Sequence, residues 1–194
     1  MNRAPSEVLS WRLTGIARNM KTQIDELTNE RGYLGTALRW SPDAVTTVDV
    51  IASYTNDAPI SPPSVLYALT QAADGKDLRE EYYGEPDFDD SDRKMSNLGV
   101  EISHEFQNGW TLSQGFRFEK FDWEYTGHHV SALTDEGTAI TRGANYQLEN
   151  TTGINLDTPL SNRLTMGVAT HDVLVSLDIR QHDATRRRSS SPSR

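Results

Sequence analysis

The sequence contains no cysteine. That excludes a disulfide framework and a thiolate metal site, and leaves the compartment open. Apolar residues are scarce too, at 36% against the roughly 45–50% of an ordinary domain on a count that includes glycine. No apolar run reaches the ~18 residues of a membrane-crossing helix. Crossing strands remain possible, because their signature is weak alternation rather than a long apolar block. Basic residues are outnumbered, 19 Lys and Arg against 28 Asp and Glu, for a net charge of −9. No concentrated basic field exists for nucleic acid, which is not expected as a partner. Gly-x-Ser-x-Gly, a phosphate-cradling glycine loop and His-Glu-x-x-His are all missing, so the chain is not read as an enzyme. The opening Met1-Asn2-Arg3-Ala4-Pro5-Ser6-Glu7-Val8 lacks the apolar centre of a secretory signal.

What is abundant is Thr, Ser, Asn and Gln. A chain of 194 residues is long enough for one domain, but one this polar has to show polar side chains on some surface besides the usual exterior. A wet interior lumen is such a surface. Period 2 runs through the sequence. In 110–125, Trp110, Leu112, Gln114, Phe116 and Phe118 share a face opposite Thr111, Ser113, Gly115, Arg117 and Glu119. In 97–106, Leu98, Val100, Ile102 and Phe106 oppose Asn97, Glu101, Ser103 and Glu105. Val48, Val50, Ala52 and Tyr54 form a third set, and Val173, Val175, Leu177 and Ile179 a fourth. Weaker alternation at 9–18, 33–40 and 140–156 brings the expected number to about seven strands. Several exceed the five or six residues usual in globular strands and approach the nine to eleven of a tilted membrane strand.

Their connections are expected to alternate in length. Long ones span 19–32, 55–96 and 126–139; short ones are Ser41-Pro42-Asp43-Ala44, Gln107-Asn108-Gly109 and the segment 157–163 with Pro159, Ser161 and Asn162. Pro-Asp and Asn-Gly are turn formers for defined backbone reasons. Bacterial outer-membrane barrels have this asymmetry, long loops outside and short turns within. Trp11, Trp40, Phe106 and Trp110 cluster toward the short turns or the chain start, where an interfacial aromatic belt would lie. The expected fold is all-β, an antiparallel up-and-down meander of about seven strands of an incomplete transmembrane β-barrel. A small soluble β-barrel or sandwich binding module, and a self-contained eight-stranded outer-membrane barrel, remain as alternatives. Residues 183–194, with Arg186-Arg187-Arg188 and four serines, have no apolar periodicity and are expected to form a disordered basic tail.

Four stretches carry a resemblance to a known family. They are Arg12-Leu13-Thr14-Gly15 with Gln23-Ile24-Asp25 and Asn29-Glu30-Arg31; Ala37-Leu38-Arg39-Trp40-Ser41-Pro42-Asp43 followed by Ile51-Ala52-Ser53-Tyr54; Tyr83-Gly84-Glu85-Pro86-Asp87-Phe88-Asp89 leading into Gly99-Val100-Glu101-Ile102-Ser103-His104-Glu105-Phe106; and His171-Asp172-Val173-Leu174-Val175-Ser176-Leu177-Asp178. In this order, over about residues 10–182, the chain resembles the TonB-dependent siderophore receptors of the Gram-negative outer membrane, in their ferrichrome-receptor-like branch. The resemblance implies a partial barrel domain over 1–182 and an outer-membrane location for the full-length receptor, with a ferric siderophore and outer-membrane lipid as partners. It implies no cofactor, since iron would arrive already chelated. TonB would act only through a plug domain, which is not recognised in this sequence.

The connection 55–96 would lie outside the cell and supplies Tyr67, Tyr82, Tyr83 and Phe88 as candidate ligand contacts; Tyr125 and His128 come from the next outer connection. Aromatic side chains offer apolar area with a polar tip. Each has a second reading, as part of a loop packed on its own aromatics. Asp87, Asp89, Asp90 and Asp92 resemble a hard-cation site but lack the glycine and distal glutamate of a calcium loop. His128 and His129 would point to opposite faces of a strand. No metal ligand set is expected. Arg12, Asp49, Glu101, Arg117 and Glu119 are expected to line the lumen.

Overall fold

The computed structural model describes residues 8–59, 80–134 and 139–192. These form one antiparallel sheet of seven strands: β1 (Leu9–Lys21), β2 (Thr28–Trp40), β3 (Thr46–Asp57), β4 (Asp90–Glu105), β5 (Thr111–Thr134), β6 (Ala139–Met166) and β7 (Ala169–Pro192). Spatial order follows chain order from β1 to β7. The sheet does not close, so β1 and β7 are free edges among the described residues.

Local chemistry sets the tight turns. Between β2 and β3, the Asp43 carboxylate accepts the backbone N–H groups of Val45 at 3.0 Å and Thr46 at 2.6 Å, an Asx turn. Between β4 and β5, Gly109 takes φ 79° and donates its N–H to the Phe106 carbonyl at 2.9 Å. A side chain there would be strained. Gly167, at φ 63°, turns β6 into β7. The segment 157–163 is not the turn expected from its proline: it continues β6. Pro159 cannot donate to a ladder, and it lies where the β5–β6 pairing is interrupted, in unchanged register, between Leu112↔Leu160 and Gly115↔Asp157. The Gln114 amide fills the gap, donating to the Asp157 carbonyl at 3.1 Å and accepting from Thr158 Oγ1 at 2.9 Å.

Strand registers line up the alternating sets. Trp11, Leu38, Val50, Val100, Phe116, Leu156 and Ile179 form one transverse row. The next row, on the other face, is Arg12, Ala37, Ile51, Gly99, Arg117, Asn155 and Arg180. The apolar face is uncovered, with Trp11 68% and Ile179 52% exposed. Only Leu27 and Val130 are buried hydrophobic residues among those described. A soluble sandwich would bury that face against a second layer, and none is present among the described residues. Leaving it in water forgoes roughly 1.5–3 kcal/mol for each Leu-, Ile- or Phe-sized side chain. The polar face is concave. A hollow of about 520 Å³ on it is lined by Asp49, Glu101, Arg117, Glu119, Asn155 and Asp157 among others. All five residues expected to face a lumen lie on that face.

Two further expectations are corrected. First, residues 183–192 are not a disordered tail: β7 continues through them, pairing Asp183 with Thr152 and Ser190 with Asn145. The long β6 offers a row of backbone donors and acceptors, and ladder pairing needs no apolar side chain. Second, the connection expected at 126–139 shrinks to 135–138 and that at 19–32 to 22–27, because the strands run on at this end of the sheet. Connection length therefore does not alternate strictly. The β2–β3, β4–β5 and β6–β7 turns lie together at one end of the sheet.

Candidate functional site

From Trp110, just before β5, the apolar face runs to Phe118, close to the ~9 residues of a tilted membrane strand. Beyond that point the two faces exchange character. Outer positions become Lys120, Asp122 and Glu124, while the concave face receives Phe121, Trp123 and Tyr125. Phe121 and Trp123 have ring centroids 6.4 Å apart, and Trp123 and Tyr125 5.6 Å. The Trp123 indole N–H donates to Ser91 Oγ on β4 at 3.0 Å, which fixes the ring. The Tyr125 ring lies over Gly127, where a Cβ would overlap its hydroxyl.

Residues 80–89 fold onto this end of the sheet around Asp89, whose side chain is 2% exposed. Asp89 accepts the Tyr82 hydroxyl, the Glu85 N–H at 2.9 Å, and the His128 N–H and Nδ1, both at 2.8 Å. Gly84 permits this approach, since a Cβ there would overlap both the Tyr82 ring and the Asp89 carboxylate. Burial pushes the Asp89 carboxyl up, and the hydrogen bonds from Tyr82, Glu85 and His128 outweigh it, leaving the group below the usual carboxylate value. Burial, then the bond to Asp89, raises the Tyr82 phenol well above its ordinary value. Tyr83 and Tyr125 are also raised, by burial first. Arg142 of β6 donates to the Gly84 carbonyl at 2.6 Å and reaches Glu85 Oε2 at 3.4 Å. Thr126 Oγ1 donates to the Phe88 carbonyl at 2.9 Å.

Below this cluster, Asp57 (3% exposed) joins three strands. Arg31 of β2 reaches it at 2.7 Å and Arg93 of β4 at 2.8 Å. Hydrogen bonds from Arg93, and then from Arg31, hold its carboxyl below the ordinary value against the opposing effect of burial.

Of the residues singled out from sequence, Phe88 and His128 meet directly, and Tyr82 joins them through Asp89. Phe88 and His128 have ring centroids 4.7 Å apart, and Phe88 remains 46% exposed. Tyr125 joins from the neighbouring inner face. Tyr83 is half-buried beside Gly84, and Tyr67 lies outside the described residues. The acidic run separates: Asp89 is the internal acceptor, and Asp92 pairs with Lys94 at 2.5 Å. The His129 ring lies instead against Gly143 on β6. Among the described residues, no three His, Asp or Glu side chains are grouped as a metal site. Phe121, Trp123, Arg142 and the Arg31–Asp57–Arg93 group were missed from sequence. The shift of aromatic residues from even positions (116, 118) to odd ones (121, 123, 125) was the available signal for the first two. The resulting surface joins aromatic area to fixed polar groups, a combination suited to holding a large amphipathic ligand.

Comparison with known proteins agrees with this architecture. No protein-family model matches the chain. It is 30% identical over 176 residues to the ferrioxamine B receptor of Salmonella typhimurium strain SL1344, covering 89% of this chain and 25% of that protein. It is 26% identical over 183 residues to the ferrioxamine receptor of Yersinia enterocolitica, covering 92% of this chain and 25% of the relative. The chain thus spans about a quarter of the length of the curated relatives it matches. The structure superposes on Pseudomonas aeruginosa FpvA bound to heterologous pyoverdine with a TM-score of 0.79, at 13% identity, covering 93% of this chain and 24% of that one. Against the siderophore receptor PiuA of Acinetobacter baumannii the TM-score is 0.76, at 13% identity, over 98% of this chain and 30% of the other. These relatives are receptors, and their barrels contain this meander.

Proposed function

We propose that this chain, a homologue of a quarter-length stretch of the TonB-dependent siderophore receptors, forms part of an outer-membrane barrel wall whose upper inner edge contacts a ferric siderophore. The observation that carries the reading is the pairing of an uncovered apolar band with a concave polar face. Lipid satisfies the first and an aqueous lumen the second. The band ends where β5 exchanges faces, so Phe121, Trp123 and Tyr125 stand above hydrocarbon level on the lumen side. Tyr82, Tyr83, Phe88 and His128 would stand beside them at the rim of a binding vestibule, His128 being in register with the outer positions of β5. Tyr67 is a further proposed contact from the same connection.

The role is binding and passage rather than catalysis. Iron enters as a chelate, so the wall needs aromatic area and hydrogen-bonding groups but no metal ligands of its own. The relatives' names favour a chelate of the ferrioxamine type. Energy coupling through TonB, and the plug through which it would act, belong to the remainder of such a receptor. In that assembly the concave rows carrying Arg12, Asp49, Glu101, Arg117 and Glu119 would face the plug.

Tryptophan fluorescence of the chain in detergent micelles tests the reading. The iron complex of ferrioxamine B should quench emission saturably, and Trp123→Phe should remove most of the change. Equal, non-saturating quenching by ferrioxamine and by unrelated iron chelates would overturn it.

A further inference from the structure

Several bonds tie the segment 80–89 to the sheet, and one buried side chain, Asp89, joins the interior of the loop to β5. Asp89 takes its donors from both sides of a junction: Tyr82 and Glu85 from the loop, and the backbone and ring of His128 from β5. A carboxylate suits such a position because it accepts at every lone pair and donates nowhere. An amide of the same shape would aim its own N–H hydrogens at groups that are already donors. Arg142 clamps the loop's outer rim at Gly84 and Glu85, and Thr126 holds the Phe88 carbonyl. The groups facing Asp89 are therefore Tyr82 and Glu85 on its own loop and Tyr125 and His128 on β5, with Arg142 of β6 behind Glu85.

Resting on the siderophore-wall reading, we infer that Asp89 is a positioning residue: it locks residues 80–89 onto β5 so that Phe88 is presented beside His128 at the rim of the vestibule. The loop is then organised before ligand arrives. A ligand meeting a pre-formed rim is spared the fraction of time in which the loop lies elsewhere, and that fraction enters its apparent affinity directly. Gly84 belongs to the same device, because only a residue without Cβ leaves room for Tyr82 and Asp89 to meet.

The test compares the full chain in detergent micelles with Asp89→Asn and Tyr82→Phe variants, by hydrogen exchange and by titration with the iron complex of ferrioxamine B. In Asp89→Asn the amides of Glu85 and His128 should lose protection together while those of β1–β3 keep theirs, and affinity should fall about tenfold. Tyr82→Phe, which removes one donor of four, should give a smaller loss of both in the same order. Unchanged protection of Glu85 and His128 in Asp89→Asn would overturn the proposal. So would local loss of protection with affinity unchanged. If Asp89→Asn unfolds throughout, Tyr82→Phe decides by the same two measurements. A wild-type chain that holds both amides protected yet binds no chelate refutes the siderophore-wall reading and leaves the lock standing as a structural feature.

Discussion

At the scale of single residues, the polar face is organised by a few buried acids. Asp57 is opposite Arg31 on one side and Arg93 on the other, so its carboxylate joins β2, β3 and β4 above the apolar band. Its folded pKa lies below the unfolded value. The stabilisation is therefore present above the unfolded carboxylate pKa of about 3.9 and is lost as pH falls through the lower, folded value. Hydrogen exchange in micelles, followed from pH 7 to pH 3, should show amides near residues 31, 57 and 93 opening before those of the apolar band. Asp57→Ala leaves two partly exposed guanidiniums facing each other and should cost about 2–3 kcal/mol, read by denaturant titration in micelles. Gly84 gives a sharper steric case. Gly84→Ala puts a methyl into space held by Tyr82 and Asp89, and should release protection at Glu85 and His128 without disturbing β1–β3. Retained protection at those two amides would contradict the packing described.

Among the elements, β5 carries the most information. Its first part places aromatic residues on the outer face and its second part on the inner face, with Lys120 at the change. Phe116→Arg, near the middle of the band, should cost about 2–4 kcal/mol in lipid, whereas Glu124→Arg, on the same face but beyond the band, should change little. Protease protection of each variant in lipid vesicles measures the difference, and equal effects would place the band wrongly. The same strand explains what was legible in the sequence. All seven strands and the apolar sets of β3, β4, β5 and β7 were readable, because period 2 is a local pattern that one polar and one apolar solvent impose. Strand ends were not. Past the band both faces meet water, so alternation fades, and Thr185 to Ser190 pair through backbone groups that leave no trace in side-chain type. Pro159 looked like a turn because sequence does not reveal that Gln114 replaces the missing ladder bond. Aromatic candidates Tyr82, Phe88 and His128 could be singled out by residue type. Asp89 could be noticed only as part of an acidic run, since no spacing rule connects 89 with 82 and 128.

For the whole molecule, the decisive quantity is surface. Among the described residues, seven antiparallel strands give a sheet with two unpaired edges and one uncovered apolar face, and those two features call for different partners. The face needs lipid or detergent; the edges at β1 and β7 need further strands, because hydrocarbon offers an unpaired N–H or C=O nothing to bond with. Detergent alone should therefore repair only half of the problem. In water the chain should aggregate. In micelles it should acquire strand structure, yet its β1 and outer β7 amides should exchange fast while β3 to β5 are protected. Adding a polypeptide that supplies the neighbouring barrel strands should slow exchange at both edges together. Circular dichroism, light scattering and residue-resolved hydrogen exchange would follow these steps. A detergent-free, cooperatively melting monomer with protected edge amides would require the apolar face to be covered from within the chain, and would overturn the barrel-wall assignment along with the siderophore vestibule built on it.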